Sequence, residues 1–161
     1  MCTFYFGVND MNIKYMKEAY KEALKAFAID EVPVGAVIVK NNKIIARSYN
    51  LKEKKACGIY HAEILAIIKA CKKISNWRLD GCDIYITLAP CPMCASAIKQ
   101  ARISNVYCGL SNLNESTMNI TKKIFEENDI NSSVNFVSDL FCDEVDLLMK
   151  NFFKNKRTKI K

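Results

Sequence analysis

Two short motifs set the strongest constraint on how this chain folds. The first is His61-Ala62-Glu63, which contains the only histidine among 161 residues; the second is Pro90-Cys91-Pro92-Met93-Cys94. Both precede stretches with helical patterning. Cysteines three apart at a helix start share one face, so both sulfurs can reach one metal ion. Proline is tolerated in the first turn, where its missing N–H costs nothing. The dipole and free N–H groups of a helix N-terminus also favour thiolates. Three N/S donors, His61, Cys91 and Cys94, leave the fourth tetrahedral position of Zn²⁺ open, the pattern of a catalytic rather than a structural site. A fold that uses these residues together must bring two helix starts to one point.

Glu63 lies two residues from a ligand, too close to bind the same ion comfortably. Two thiolates neutralise the charge of Zn²⁺, so water there is acidified less than in an all-histidine site and a nearby base helps. Glu63 is the candidate. As general base and acid it would take a proton from water and deliver it to the substrate during hydrolysis. Rival readings of the same residues stay open at this level. A redox Cys-x-x-Cys pair would leave His61 and Glu63 without a role. A closed Cys₃His site would add Cys57, four residues before His61, and leave no open position.

The rest of the chain reads as alternating helices and strands. Asn12 to Ile29 is a helix with Met16, Ala19, Tyr20, Ala23 and Phe27 as its stripe. Val34 to Val39 is a strand, and Gly35 within it suggests close approach of another element. Lys40 to Lys43 is a hairpin turn, since asparagine tolerates positive φ, and Ile44 to Tyr49 returns antiparallel. Asn50 to Tyr60 is a polar loop carrying Lys52, Lys54 and Lys55. A helix from about His61 has Ile64, Leu65, Ile67, Ile68 and Cys71 as a broad apolar face, expected to be covered by a sheet. Asp80-Gly81 is a turn, Cys82 to Leu88 a buried strand, Pro92 to Ala101 a helix, and Ile103 to Cys108 a strand. Leu110 to Asn131 hints at a short helix around Ile120, Ile124 and Phe125, and Val134 to Val137 suggests a fifth strand. The last helix runs from about Asp143 into the tail, with Val145, Leu148, Met149 and Phe152 inward. The expected fold is a layered α/β domain on a mixed sheet of about five strands, helices on both faces. One domain over 1–161 is expected, with residues 1–10 an N-terminal extension and 154–161 a basic tail.

Eight cysteines is an even count, but their spacing argues against a disulfide scaffold. Only Cys91 and Cys94 are close together; Cys2, Cys57, Cys71, Cys82, Cys108 and Cys142 are scattered and read as small buried hydrophobes. No apolar run approaches the ~20 residues of a membrane span, and Met1 to Asp10 lacks the pattern of a secretory signal. The expectation is a soluble, cytoplasmic protein with no membrane partner. A formal charge of +7, from 20 lysines, 4 arginines and 17 acidic residues, favours anionic partners, nucleic acid first. Lys150 to Lys161 holds six basic residues and no acidic one. Lys154, Lys156, Arg157, Lys159 and Lys161 could follow phosphates while Phe153 stacks on a base; the plainer alternative is a solvated tail. Trp77, just before a strand, reads as a core anchor.

H-x-E followed by P-C-x-x-C is the signature of zinc nucleobase deaminases, so the motif pair assigns the class by identification. Further blocks resemble the bacterial tRNA-specific adenosine deaminases of the cytidine deaminase-like superfamily. They are Glu31-Val32-Pro33-Val34-Gly35-Ala36-Val37, Ala46-Arg47 with Asn50, His61 to Ile64, Asn76-Trp77-Arg78-Leu79, Pro90 to Cys94, Ala101-Arg102-Ile103 and Phe152-Phe153. The resemblance implies a three-layer cytidine-deaminase-like sandwich and one Zn²⁺ per subunit on His61, Cys91 and Cys94, with Glu63 as acid and base. It implies that Asn50 hydrogen-bonds a flipped nucleoside, that Val34 lines the pocket, and that backbone at Ala62 and Pro90 meets the base or reacting group. It further implies a homodimer acting on the anticodon stem-loop of tRNA, with inosine made at the wobble position. Guanine- or cytosine-type deaminases of free bases or nucleosides are the alternative, and a zinc-containing RNA-binding module without turnover is a third. The chain departs from the family pattern at Ala89, where an acid is usual, at Cys57-Gly58-Ile59-Tyr60, in the glycine-free Leu110 to Ile120, and at Asn131-Ser132.

Overall fold

Residues on β1 (Gly35–Lys40) alternate between two cores. Ala36 and Ile38 enter one hydrophobic cluster and Val37 and Val39 another. A strand buried on both faces reads as a continuous apolar run, as this one does. The computed structural model describes residues 10–111, 114–127 and 134–159. The expected N-terminal extension, apart from Asp10, and the departure at Asn131-Ser132 lie outside the described residues.

β1 sits inside a five-stranded sheet of order β2-β1-β3-β4-β5, in which β2 is Lys43–Tyr49, β3 Cys82–Leu88, β4 Asn105–Leu110 and β5 Asn135–Val137. β1 pairs antiparallel with β2 and β3, while β3–β4 and β4–β5 are parallel, so the sheet is mixed, as expected. The β1–β2 turn is made by Asn41 and Asn42, both at positive φ (49° and 59°). That is the two-residue geometry whose twist matches a hairpin.

Helices cover both faces. α1 (Asp10–Ala28) and α5 (Cys142–Lys159) lie on one side, where Tyr15, Met16 and Ala19 meet Val37, Val39 and Tyr85 and Phe27 meets Phe152 edge-on. α2 (Ala62–Ile74), α3 (Pro92–Gln100) and α4 (Glu115–Glu126) lie on the other, where Ala62, Ala66, Ala95, Ile98 and Phe125 pack on Ile38, Ile84, Ile86 and Val106. This is the three-layer sandwich. Gly35 allows α1 its close approach: a Cβ there would fall onto the Ala19 carbonyl oxygen and Ala23 amide nitrogen, and 2.9 Å from the Glu22 carbonyl carbon.

Three expectations are corrected. α2 turns only part of the expected apolar face to the sheet: Ile67 and Cys71 pack against the sheet's core cluster, half-buried. Ala62, Ala66 and Ala70 are fully buried, Ile64 and Leu65 are half-buried, and Ile68 is exposed. Small residues let the helix approach closely, so the bulky ones are displaced to its flanks. Trp77 is 59% exposed and not a core anchor. It lies beyond the left-handed C-cap Ser75 of α2, with the Arg78 and Arg102 guanidiniums 5.5 and 5.7 Å from its ring centre. Cys142 is disulfide-bonded rather than a buried thiol; Cys57, Cys71, Cys82, Cys91, Cys94 and Cys108 are free.

Candidate active site

The site forms where two helix N-termini converge. His61 is the N-cap of α2 and Cys91 the N-cap of α3, both with extended backbone, and Pro92 opens α3. Cys94 follows in the first turn and is fully buried. The Nδ1 atom of His61 lies 3.8 Å from the Cys91 Sγ and 3.5 Å from the Cys94 Sγ. All three ligand atoms lie within 4.8 Å of one another. With Zn–S near 2.3 Å and Zn–N near 2.0–2.1 Å, tetrahedral zinc sets N···S at about 3.6 Å. The donor set therefore fits zinc through Nδ1 and two sulfurs. Cys57 is half-buried and outside this cluster, so the closed four-ligand arrangement is not formed. Zinc bound here would supply a Lewis acid with one open position.

Hydrogen bonding distinguishes the two sulfurs. A hydrogen bond from the Cys94 thiol holds the Cys91 thiol down at about 4, assisted by His61. The same hydrogen bond, with burial, pushes Cys94 far above the usual thiol range. The Cys91 side chain also raises His61. The place of Cys91 at the start of α3 further favours its thiolate, the form a metal requires.

Glu63 is the second residue of α2 and only 4% exposed. Burial pushes its carboxyl up to about 7, opposed by its own backbone amide and by His61. A carboxyl poised there gains and loses a proton readily near neutrality, as general acid–base work requires.

These groups open on a cavity of about 280 Å³ lined by Val32, Val34, Asn50, Lys52, His61, Ala62, Glu63, Leu88, Ala89 and Cys91. That volume lies near the ~300 Å³ lower bound of small-molecule pockets, space for one base rather than an oligonucleotide. Asn50, Val34 and Ala62 thus share the cavity wall with His61 and Cys91, while Cys94 is outside the lining. Pro90 is buried and outside the cavity lining, and its carbonyl accepts a 3.1 Å hydrogen bond from the Thr121 hydroxyl of α4. Phe153 is outside the cavity lining and 44% exposed on α5. Lys156 of the same helix pairs with Asp30 at 2.8 Å, setting α5 against the turn that leads to Val32 and Val34.

Sequence reasoning missed Glu31 and Thr121, two buried polar residues that brace the site. Glu31 stands in a block that resembles the family, but nothing local marks an acid as buried. Ala89, the departure from the usual acid, is buried with Cys108 and Met118.

Residues 10–157 match the family described as MafB19-like deaminase. A tRNA-specific adenosine deaminase of Bacillus subtilis (strain 168) is 42% identical over 147 residues, 91% of each chain. One from Rickettsia bellii (strain RML369-C) is 44% identical over 144 residues, 88% of this chain and 99% of that one. A solved structure from a study of A-to-I editing by tRNA:A34 deaminases superposes with TM-score 0.78 and 35% identity, covering 84% of this chain and 99% of that one. A guanine deaminase from Bacillus subtilis matches at TM-score 0.59 and 38% identity, over 63% of this chain and 64% of that one. The chain belongs to the MafB19-like deaminase family, in the branch of the bacterial-type tRNA-specific adenosine deaminases. It shares the zinc-deaminase architecture, with a His61/Cys91/Cys94 cluster able to hold one zinc ion.

Proposed function

We propose that this protein hydrolyses adenosine to inosine at the wobble position of a tRNA anticodon stem-loop, using one zinc ion per subunit. The observation that carries the reading is one cavity, sized for a single base, that presents His61, Cys91, Glu63 and Asn50 together. Glu63 takes a proton from the attacking water, delivers it to the purine ring nitrogen and assists departure of the amino group as ammonia. Asn50 hydrogen-bonds the flipped nucleoside, Val34 packs against it, and backbone at Ala62 and Pro90 meets the base or reacting group. Phe153 and the basic end of α5 contact the RNA, supported by exposure of that ring. A second copy of the chain completes a homodimer; exposed Ile68 on α2 and Met93 on α3 are apolar surface available for it. Residues 1–161 act as one deaminase domain, supported by the family match over 10–157. No helix among the described residues is long and apolar enough to cross a membrane, and a tRNA substrate supports a cytoplasmic location.

The guanine deaminase match supports a free-base reading as the alternative. Incubating the zinc-loaded protein with a tRNA bearing adenosine at the wobble position, and separately with guanine and cytidine, separates the readings. Inosine in the tRNA is the expected product. Ammonia from free bases alone would establish the alternative, and RNA binding without product would leave a non-catalytic module.

A further inference from the structure

Glu31 is 1% exposed and is not a metal ligand. It follows α1 in a turn closed by its own N–H donating to the Ala26 carbonyl at 3.0 Å, after Asp30 in the left-handed region (φ 66°). Its two carboxylate oxygens are used separately. Oε1 accepts from the backbone N–H of Lys54 at 2.6 Å, and Oε2 accepts from the Asn50 side-chain Nδ2 at 3.2 Å. Asn50 is itself buried at 6% exposure and lines the cavity. Its backbone N–H is bound to the Val34 carbonyl at 3.0 Å, so the residue is held at both ends.

An ionised carboxylate only accepts hydrogen bonds, whereas an asparagine amide has a donor end and an acceptor end. Facing Glu31, Asn50 must turn its NH₂ toward the carboxylate. Its Oδ1 is then turned away from Glu31, and Nδ2 keeps one further N–H. We infer that Glu31 is a positioning residue that fixes the Asn50 amide so that the cavity receives a hydrogen-bond acceptor, selecting substrates that offer Asn50 an N–H or O–H donor. The inference rests on the deaminase reading for its kinetic consequence, but the orientation itself does not depend on turnover.

The isosteric change Glu31→Gln gives a sharp test. The new side chain can still accept from the Lys54 N–H through its oxygen. Its NH₂ then faces Asn50 and draws Oδ1 toward itself, turning the Asn50 NH₂ into the cavity. Adding Asn50→Asp restores an acceptor on both sides, because the new carboxylate accepts from the new amide and presents its other oxygen to substrate. A misplaced hydrogen bond to a buried charged group corresponds to a loss of about 10- to 100-fold. In inosine formation from tRNA, Glu31→Gln should therefore lose kcat/KM by that factor, and Glu31→Gln/Asn50→Asp should regain most of it. Both variants should keep zinc. Hydrogen exchange of the Asn50 side-chain NH₂, followed by NMR in the zinc-loaded protein without substrate, should be slow in the unmodified chain and at least tenfold faster in Glu31→Gln. If exchange is unchanged in Glu31→Gln, or if the double variant is no better than the single one, Glu31 does not orient Asn50. If the unmodified protein makes no inosine, the functional reading fails and the exchange measurement alone decides the role of Glu31.

Discussion

Replacing Gly35 by alanine tests how the helix layer positions the site. The added methyl would land on two backbone atoms of α1, the Ala19 carbonyl oxygen and the Ala23 amide nitrogen, with Glu22 carbonyl carbon at 2.9 Å. No rotamer relieves a clash with backbone, so α1 must lift from β1. That separates Met16 and Ala19 from Val37 in a close-packed layer. Overpacking typically costs 1–3 kcal/mol, and a backbone-on-backbone clash belongs at the upper end, about 3 kcal/mol. For a chain of this size each kcal/mol shifts Tm by about 2–4 °C, so Gly35→Ala should melt about 6–12 °C lower. Gly58→Ala is the control, because nothing lies within 4 Å of its added methyl; its Tm should stay within about 2 °C. The shift of α1 also carries the Asp30 to Val34 turn, so activity should fall with stability. Thermal melts of the zinc-loaded variants decide the matter: equal Tm values for Gly35→Ala and the unmodified chain would refute the packing argument.

Glu63→Ala should retain one zinc per chain by metal analysis and lower the deamination rate by about 10²–10⁴-fold, the usual contribution of a positioned acid–base group; full turnover would remove Glu63 from the chemistry. Cys57→Ala should leave zinc stoichiometry intact, whereas Cys94→Ala should abolish it, because only the latter removes a member of the cluster. Phe153→Ala, at an exposed position, should change stability by no more than about 0.5 kcal/mol while weakening tRNA affinity in a binding titration. Burial pushes the Asp139 carboxyl up, but hydrogen bonds from Ser138 and Ser111 overcome it and hold it below the usual carboxylate value of 3.8. A group depressed in the folded state contributes stability above its unfolded pKa and loses it as pH falls through the folded one. Asp139→Asn should thus flatten acid unfolding below about pH 4, and unfolding curves that fall in parallel would count against this role.

The parts of the fold legible in the sequence were those governed by local backbone chemistry. Asn41-Asn42 marks a hairpin because both adopt positive φ. Pro92 marks a helix start because its nitrogen has no hydrogen to leave unbonded. The order of strands and helices followed from the same kind of signal, and α4 emerged where Ile120, Ile124 and Phe125 hinted at it. Burial was less legible, because it depends on which neighbour approaches. Isoleucine outranks alanine in hydrophobicity, yet the alanines of α2 face the sheet and Ile68 is exposed. Trp77 likewise stays outside, its ring approached by two arginines. Cys142 could not be told from the other scattered cysteines, since a disulfide depends on where the chain brings its partner.

For the site, sequence alone supplied the candidate ligand types and the candidate acid–base group: one histidine, a Cys-x-x-Cys opening a helix, and a glutamate two residues past the histidine. Those choices are dictated by metal and proton chemistry that acts over a few bonds. Tertiary structure decided what those residues face. It turned His61 Nδ1 toward both sulfurs, left Cys57 out of the cluster, and buried Glu63 so that its carboxyl is pushed up to about 7. It also brought Glu31 against Asn50 from 19 residues away, because a carboxylate buried there is tolerable only where other segments supply N–H donors.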